Sequence, residues 1–253
     1  MNNNASPVAQ RLADLQERIE KACRNAGRDP AEITLLLATK TVPAERLPEA
    51  VRAGLVRFGE NRIQEGLAKS RLLAESLPEP SAPVRWEMIG HLQTNKINQA
   101  LRFVSAIQSL DRLRLVKRLQ TRLERDDRTI DVHVQVNTSG EQSKYGVTPD
   151  KAEALVEAVQ TASNLNLVGL MTIGRLGSTT DAARPDFALL RRLCVRMQES
   201  GLLEPQQNSL SMGMSGDLEV AIEEGATLIR VGTAVFGRRP TPDSHYWPGA
   251  RNP

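Results

Sequence analysis

The sequence has few cysteines, few aromatic residues and no long apolar run. Its 2 cysteines, Cys23 and Cys194, lie outside any CxxC or Cys/His cluster. Neither a disulfide framework nor a zinc site is predicted, and we expect free structural thiols. Aromatic residues make up 3% of the chain, which leaves few rings for stacking single-stranded nucleic acid. The polar start MNNNASPVAQ is not typical of a signal peptide, so we expect a cytoplasmic protein with no membrane partner.

The charges of the chain are nearly balanced. The 33 Lys and Arg residues face 30 Asp and Glu residues, a formal net charge of +3, which attracts nucleic acid only weakly and suits a small anionic ligand equally well. Acidic residues interrupt the arginine-rich stretch 112–128, which predicts a solvated helix face. We expect no nucleic acid partner. Salt-sensitive binding to duplex or single-stranded nucleic acid would favour the alternative, a basic nucleic-acid-binding protein.

Short apolar runs alternate with helical patterns along the chain. The spacing from Val8 to Cys23, with Gly27 as a stop, predicts an amphipathic opening helix. Apolar runs separated by helices rather than by tight turns are typical of a parallel sheet that is buried on both faces. The eight candidate strands are ITLLLATK, LVRFG, VRWEMIG, FVSAIQSL, IDVHVQVN, NLVGLMTI, NSLSMG and TLIRVG.

Eight strand and helix units favour closure into a single (β/α)8 barrel of the TIM type, with an extra N-terminal helix. The alternative, an open doubly wound sheet, would require a glycine-rich dinucleotide turn after an early strand, and ATKTVPAE contains no glycine. We expect the barrel to occupy residues 1–239. Residues 240–253 carry four prolines and no apolar periodicity, which predicts an extended C-terminal tail.

In a parallel barrel the functional site lies at the carboxyl ends of the strands. Lys40 ends the first strand, where its amine could form a Schiff base with an aldehyde, or could be an ordinary solvated lysine. The loops after the last two strands contain Ser215, Gly232 and Thr233, which offer a hydroxyl, close backbone approach and another donor to an anion. Together they indicate a ligand that carries both a phosphate and an aldehyde.

Seven ordered motifs carry a resemblance to a known family. Over roughly residues 10–239 the chain resembles the pyridoxal phosphate homeostasis proteins, which are similar to the barrel domain of bacterial alanine racemase. The motifs are LLLATK, RFGENRIQEG, WEMIGHLQTNK, SKYG, GLMTIG, LSMGMS and IRVGTAVFG.

The resemblance implies that pyridoxal 5′-phosphate (PLP) is the cofactor and that Lys40 forms the Schiff base with it. It implies that Asn61 lies near the cofactor ring and that Arg230 faces the pyridine nitrogen. The implied phosphate-binding residues are Ser215, Gly232 and Thr233. An arginine donates a hydrogen bond without readily yielding its proton, so the ring nitrogen would stay largely unprotonated. Such a ring is a poorer electron sink, which disfavours transamination.

Three positions within the motifs either depart from the family pattern or have two interpretations. Arg62 stands where family members often carry Tyr, which puts a ring contact from this position in doubt. His91 in GHLQ is either an acid or base or a structural residue at a strand end. Lys144 in SKYG is either a second contact to the aldehyde or phosphate or a solvated loop lysine.

The resemblance favours a PLP carrier in vitamin B6 homeostasis, without efficient catalysis. Alanine racemase takes its second base from an additional β domain of the partner subunit, and we expect no such domain here. The alternative is a weakly active amino-acid racemase that uses His91 or Lys144. The implied partners are PLP itself and PLP-dependent apoenzymes as recipients, and we expect a monomer or weak dimer.

Overall fold

The computed structural model describes residues 7–77, 83–175 and 180–237. The tail predicted over 240–253 lies outside these residues, so its extended form stays a prediction. Within the described ranges, no helix combines the length and the apolar character needed to cross a membrane.

Eight parallel strands form a closed barrel in which each strand pairs with the next in sequence and the last pairs with the first. The predicted (β/α)8 architecture is confirmed, and every one of the eight apolar runs overlaps a strand. Closure places Leu36 of the first strand opposite Arg230 of the last. The strands are β1 Thr34–Ala38, β2 Arg57–Glu60, β3 Arg85–Met88, β4 Ala106–Leu110, β5 Ile130–Gln135, β6 Leu165–Met171, β7 Ser209–Ser211 and β8 Leu228–Val231.

Helices surround the barrel and follow each strand. The extra N-terminal helix is confirmed, and its apolar face packs against the last two helices of the chain. Side chains on that face, such as Leu15, are buried, which stabilises the fold by about 1.5–3 kcal/mol each. The helices are α1 Pro7–Ala26, α2 Leu47–Arg52, α3 Ile63–Ser76, α4 Ile97–Ala100, α5 Leu113–Arg125, α6 Ala152–Gln160, α7 Arg184–Glu199, α8 Leu218–Glu223 and α9 Thr233–Phe236.

Two polar residues that lie shortly before helices are not the N-caps of those helices. Arg112, not Asp111, is the N-cap of α5, and Asp217, not Ser215, is the N-cap of α8. The carboxylate of Asp111 instead binds His91 and Arg112, and the hydroxyl of Ser215 contacts the start of α9. Both residues follow a strand directly or closely, so tertiary partners at the end of the barrel engage their side chains.

The barrel interior contains polar side chains among apolar ones. Gln108 of β4 accepts a hydrogen bond from Ser211 of β7 at 2.6 Å. Strands β4 and β7 are not neighbours in the closed sheet, so this contact crosses the interior of the barrel. Both cysteines, Cys23 and Cys194, are free and buried outside the barrel, and burial raises the pKa of the Cys194 thiol to about 11.

Candidate functional site

The residues predicted to bind a cofactor all follow, or lie on, strands that end at the same mouth of the barrel. Lys40 comes two residues after β1, and Asn61 comes directly after β2. Ser215 lies in the loop after β7, and Gly232 directly follows β8. Because the carboxyl ends of parallel barrel strands converge, these residues surround one opening, which we call the carboxyl-terminal mouth.

The contact between the ends of β1 and β8 requires glycine at position 232. A Cβ atom on Gly232 would lie 2.8 Å from the carbonyl oxygen of Ala38, a distance that real side chains do not adopt. The N–H groups of Gly232 and Ala234 both donate to the Ser215 hydroxyl oxygen, at 3.4 and 3.2 Å. Two backbone donors therefore converge on one oxygen, which is the arrangement that a phosphate oxygen needs. Thr233, between them, is exposed.

The loop that carries Ser215 is held from outside the barrel. Arg18 of α1 donates to the carbonyl oxygen of Ser215 at 3.1 Å, and it also binds both carboxylate oxygens of Glu219, at 2.7 and 3.0 Å. A guanidinium that makes two parallel bonds to a carboxylate is held in a fixed orientation. The N-terminal helix therefore helps to position the phosphate-binding loop.

The backbone around Lys40 is held by side chains of α3. Lys69 donates to the carbonyl oxygen of Thr39 at 2.5 Å, and Glu65 accepts from the N–H of Thr41 at 2.7 Å. Lys69 also bonds Glu65 and the buried Glu60. Burial raises the pKa of Glu60, and the charge of Lys69 opposes that shift. Contacts on both sides of Lys40 thus position its half-buried side chain.

Arg230 points into the barrel and is only 4% exposed. Its guanidinium donates to the Ser211 hydroxyl at 2.7 Å and to the Thr172 carbonyl oxygen at 2.8 Å. Burial lowers the pKa of Arg230 to about 10, and the charge of Asp217 opposes that shift, so the group stays charged near neutral pH. Within the described ranges, Arg230 is held by these two hydrogen bonds and forms no salt bridge with a carboxylate.

Hydrogen bonds continue from Arg230 through the barrel. Ser211 donates to Gln108, whose amide donates to Glu87 at 2.6 Å, and Arg57 donates to the other oxygen of Glu87 at 2.7 Å. We call these five residues, from Arg57 to Arg230, the interior chain. Sequence reasoning missed Glu87, Gln108 and Ser211, although a polar residue within an apolar strand was a signal that could have identified each of them.

The roles of His91 and Lys144 become clearer. The His91 Nδ1 atom lies 3.2 Å from an Asp111 oxygen, and its ring stacks on Tyr145 at 4.0 Å between centroids. The Lys144 side chain is 8% exposed, donates to the Gly174 carbonyl oxygen at 2.8 Å and pairs with Glu141. Lys144 is therefore not a solvated loop lysine.

Other predicted residues have fewer described contacts. Asn61 is half-buried, and its backbone lies against Gly90, where an added Cβ would be 2.6 Å from the Asn61 carbonyl oxygen. Arg62 is exposed and precedes α3 as its N-cap residue. No cluster of three or more metal-binding side chains occurs in the part of the chain that the structure describes.

Comparison with known proteins identifies the family. Residues 10–240 match the family model described as alanine racemase, N-terminal domain. The pyridoxal phosphate homeostasis protein of Pseudomonas aeruginosa is 42% identical over 234 residues, which covers 92% of this chain and 96% of that protein.

Solved structures agree with this assignment. PipY of Synechococcus elongatus PCC7942, solved with PLP bound, has a TM-score of 0.76 and 31% identity, and the match covers 91% of this chain and 100% of that one. Alanine racemase of Clostridium difficile 630 has a TM-score of 0.65 at 12% identity, covering 91% of this chain and 57% of that one, and is similar in fold alone. The chain therefore belongs to the pyridoxal phosphate homeostasis protein family, whose barrel is that of the alanine racemase N-terminal domain.

Proposed function

We propose that this chain binds PLP at the carboxyl-terminal mouth and serves PLP homeostasis, holding the cofactor as a Schiff base on Lys40. The observation that carries the proposal is the pair of N–H groups, from Gly232 and Ala234, that converge on the Ser215 oxygen next to the end of β1. The names of its relatives and the PLP bound to PipY support the same function.

The residues at the mouth fit the parts of PLP. Gly232 lets the end of β1 approach the start of α9 closely, and Ser215 and Thr233 add hydroxyl groups for the phosphate. Lys40, which follows the neighbouring strand β1, supplies an amine for the aldehyde, and Asn61 follows the next strand, where it would border the ring. PLP bound there supplies an aldehyde for a covalent link and a ring that withdraws electrons.

Arg230 is the residue that favours holding PLP over using it for catalysis. Its guanidinium stays protonated and is oriented by Ser211 and Thr172. It would donate to the pyridine nitrogen without transferring a proton, so the ring would withdraw electrons weakly. A protein built in this way stores or delivers PLP.

A slow racemase is the second candidate, and one observation favours it. Asp111 orients His91, and the imidazole stacks on Tyr145 beside the same mouth, as an acid or base would require. Lys144 suits that role less well because Gly174 and Glu141 already engage its amine. Exchange of the α-hydrogen of alanine in heavy water, measured with and without the protein, distinguishes a racemase from a PLP carrier. A His91→Gln variant then tests whether His91 is the base for that exchange.

We further propose that PLP-dependent apoenzymes receive the cofactor and that the chain acts as a monomer or weak dimer. The large apolar side chains that are exposed within the described ranges lie at four separate places along the chain. They are Leu72, Leu113, Tyr145 and Val195. Sedimentation of the PLP-loaded protein measures the oligomeric state.

The decisive experiment is reduction of the PLP-loaded protein with borohydride, followed by peptide mapping. We expect a yellow protein whose cofactor becomes fixed to the peptide that contains Lys40. Labelling at Lys144 or at another lysine instead of Lys40 would contradict the assignment. A colourless protein that binds no PLP would contradict the proposed function as a whole.

A further inference from the structure

The opposite end of the barrel also contains a cavity. Its volume is about 640 Å³, and it lies where the strands begin, which we call the amino-terminal mouth. Arg57 of β2, Arg85 of β3 and His133 of β5 line it, together with Asp131 and Ser209. None of the residues proposed to bind PLP lines this cavity.

Two side chains that line the cavity each have one buried nitrogen without a hydrogen-bond partner. His133 is 2% exposed, and although its Nε2 atom lies 2.9 Å from the Ser209 hydroxyl oxygen, its buried Nδ1 atom makes no hydrogen bond. The Nε atom of Arg85 is also buried without a partner, while its terminal nitrogen binds Asp131 at 2.7 Å. Buried polar atoms are rarely left unpaired, so these two atoms need an explanation.

The charges around the cavity are already paired. Arg57 binds Glu87, Arg85 binds Asp131, and Glu32 at the rim binds Arg28. What remains unsatisfied is the hydrogen-bonding capacity of Arg85 Nε–H and His133 Nδ1. The Arg85 atom is a donor in every state, and the Nδ1 atom of neutral imidazole is a donor when Nε2 accepts from the Ser209 hydroxyl.

The surroundings of His133 favour a negatively charged ligand. Burial and the charges of Arg57 and Arg230 together lower the pKa of His133 to about 3, and among the nearby charges only Asp131 opposes them. The cationic side chains therefore dominate the local field. Asp131 and Glu32 line the same cavity and would repel a dianion more strongly than a monoanion, which favours a carboxylate over a phosphate.

We propose that the amino-terminal mouth is a second binding site, specific for a small carboxylate that accepts hydrogen bonds from Arg85 Nε–H and His133 Nδ1–H. An ionised carboxylate offers two oxygens and no donor, which matches two unpaired N–H groups. The site uses other residues than those proposed to bind PLP, and it lies at the other end of the barrel.

Acetate is the probe, and the nitrogen resonances of the imidazoles are the measurement. The sequence contains 3 histidines, so a His133→Asn variant identifies the His133 signals in ¹⁵N-labelled protein. We expect acetate to shift the His133 Nδ1 signal saturably, whereas chloride at equal ionic strength leaves it unchanged. The shift should persist in Ser215→Ala, which alters only the carboxyl-terminal mouth.

Arg85→Lys is the critical variant. Lysine keeps a positive charge for Asp131 but lacks the Nε–H donor, so we expect acetate to bind about ten-fold more weakly, as loss of one charge-assisted hydrogen bond predicts. Thermal unfolding of the variant verifies that it folds. The proposal is overturned if acetate leaves His133 unchanged or if Arg85→Lys binds acetate as tightly as the parent. It is also overturned if inorganic phosphate shifts His133 and acetate does not.

Discussion

The two mouths of this barrel present their polar groups in different ways. At the carboxyl-terminal mouth the donors are backbone N–H groups of Gly232 and Ala234, presented by loops that follow the strands. At the amino-terminal mouth the polar groups are side chains near the starts of strands, and ion pairs such as Arg85 with Asp131 neutralise them. Loops supply a site that adapts to a cofactor, whereas strand residues supply rigid charges that also stabilise the barrel.

The interior chain connects the two mouths. Arg57 lines the amino-terminal cavity, and hydrogen bonds through Glu87, Gln108 and Ser211 lead to Arg230. Every member between the two arginines is fully buried. The side chains between the two arginines therefore depend on one another for their hydrogen bonds.

The largest expected effect is a loss of covalent PLP binding at the carboxyl-terminal mouth. Lys40→Ala should abolish the visible absorption band of bound PLP, because it removes the amine proposed to form the covalent link. Weak binding through the phosphate should persist, since Ser215 and Gly232 lie on other loops. Absorption spectra and dialysis with PLP measure both effects. Lys117→Ala on the exposed face of α5 is the control, and equal PLP affinity in the parent and Lys40→Ala would show that the covalent link is unimportant.

Breaking the interior chain tests whether it stabilises the barrel between the mouths. Gln108→Leu leaves the Glu87 and Ser211 side chains without their buried partner, so we expect the free energy of unfolding to fall by about 3 kcal/mol. Urea unfolding measures the change, and Gln16→Leu on the exposed side of α1 is the matched control. A loss below that of the control would mean that these hydrogen bonds contribute nothing net.

We expect acid to lower the free energy of unfolding through His133, which lies at the amino-terminal mouth. The pKa of this imidazole is about 3 in the folded protein and about 6.5 in the unfolded chain, so only the unfolded chain is protonated between those values. Stability is thus lost as the pH falls below 6.5, by about 3 kcal/mol near pH 4.5. His133→Asn should flatten this part of the profile, and Ser209→Ala, which keeps the imidazole, should not. Unchanged curvature in His133→Asn contradicts the assignment.

The smallest expected effect concerns a single hydrogen-bonding group at the carboxyl-terminal mouth. Ser215→Ala removes the hydroxyl but leaves the N–H groups of Gly232 and Ala234, so PLP affinity should fall only about five-fold, the equivalent of about 1 kcal/mol. The visible band should remain at saturating PLP. Equilibrium titration measures the affinity, and a loss as large as that of Lys40→Ala would show that Ser215 holds the loop itself.

The local pattern of the sequence determined the elements of this fold. Apolar runs of strand length, separated by helical periodicities, located all eight strands, and the spacing from Val8 to Cys23 located α1. The spacing of apolar residues indicates which side of an element is buried. That spacing is a local feature of the sequence, so it can be read without the tertiary structure. Asp111 and Ser215 precede helices that they do not cap, because their side chains engage distant partners that periodicity does not reveal.

The tertiary structure alone decided how the sites are assembled. Ser211 and Gln108 are 103 positions apart, and they meet only because the sheet closes and turns both side chains inward. Tertiary packing likewise brings Lys69 and Glu65 to the backbone on either side of Lys40. It also leaves one His133 atom and one Arg85 atom without partners at the amino-terminal mouth. A sequence specifies which side chains are polar, but closure of the barrel determines which of them meet, because hydrogen bonds depend on distance and direction in space.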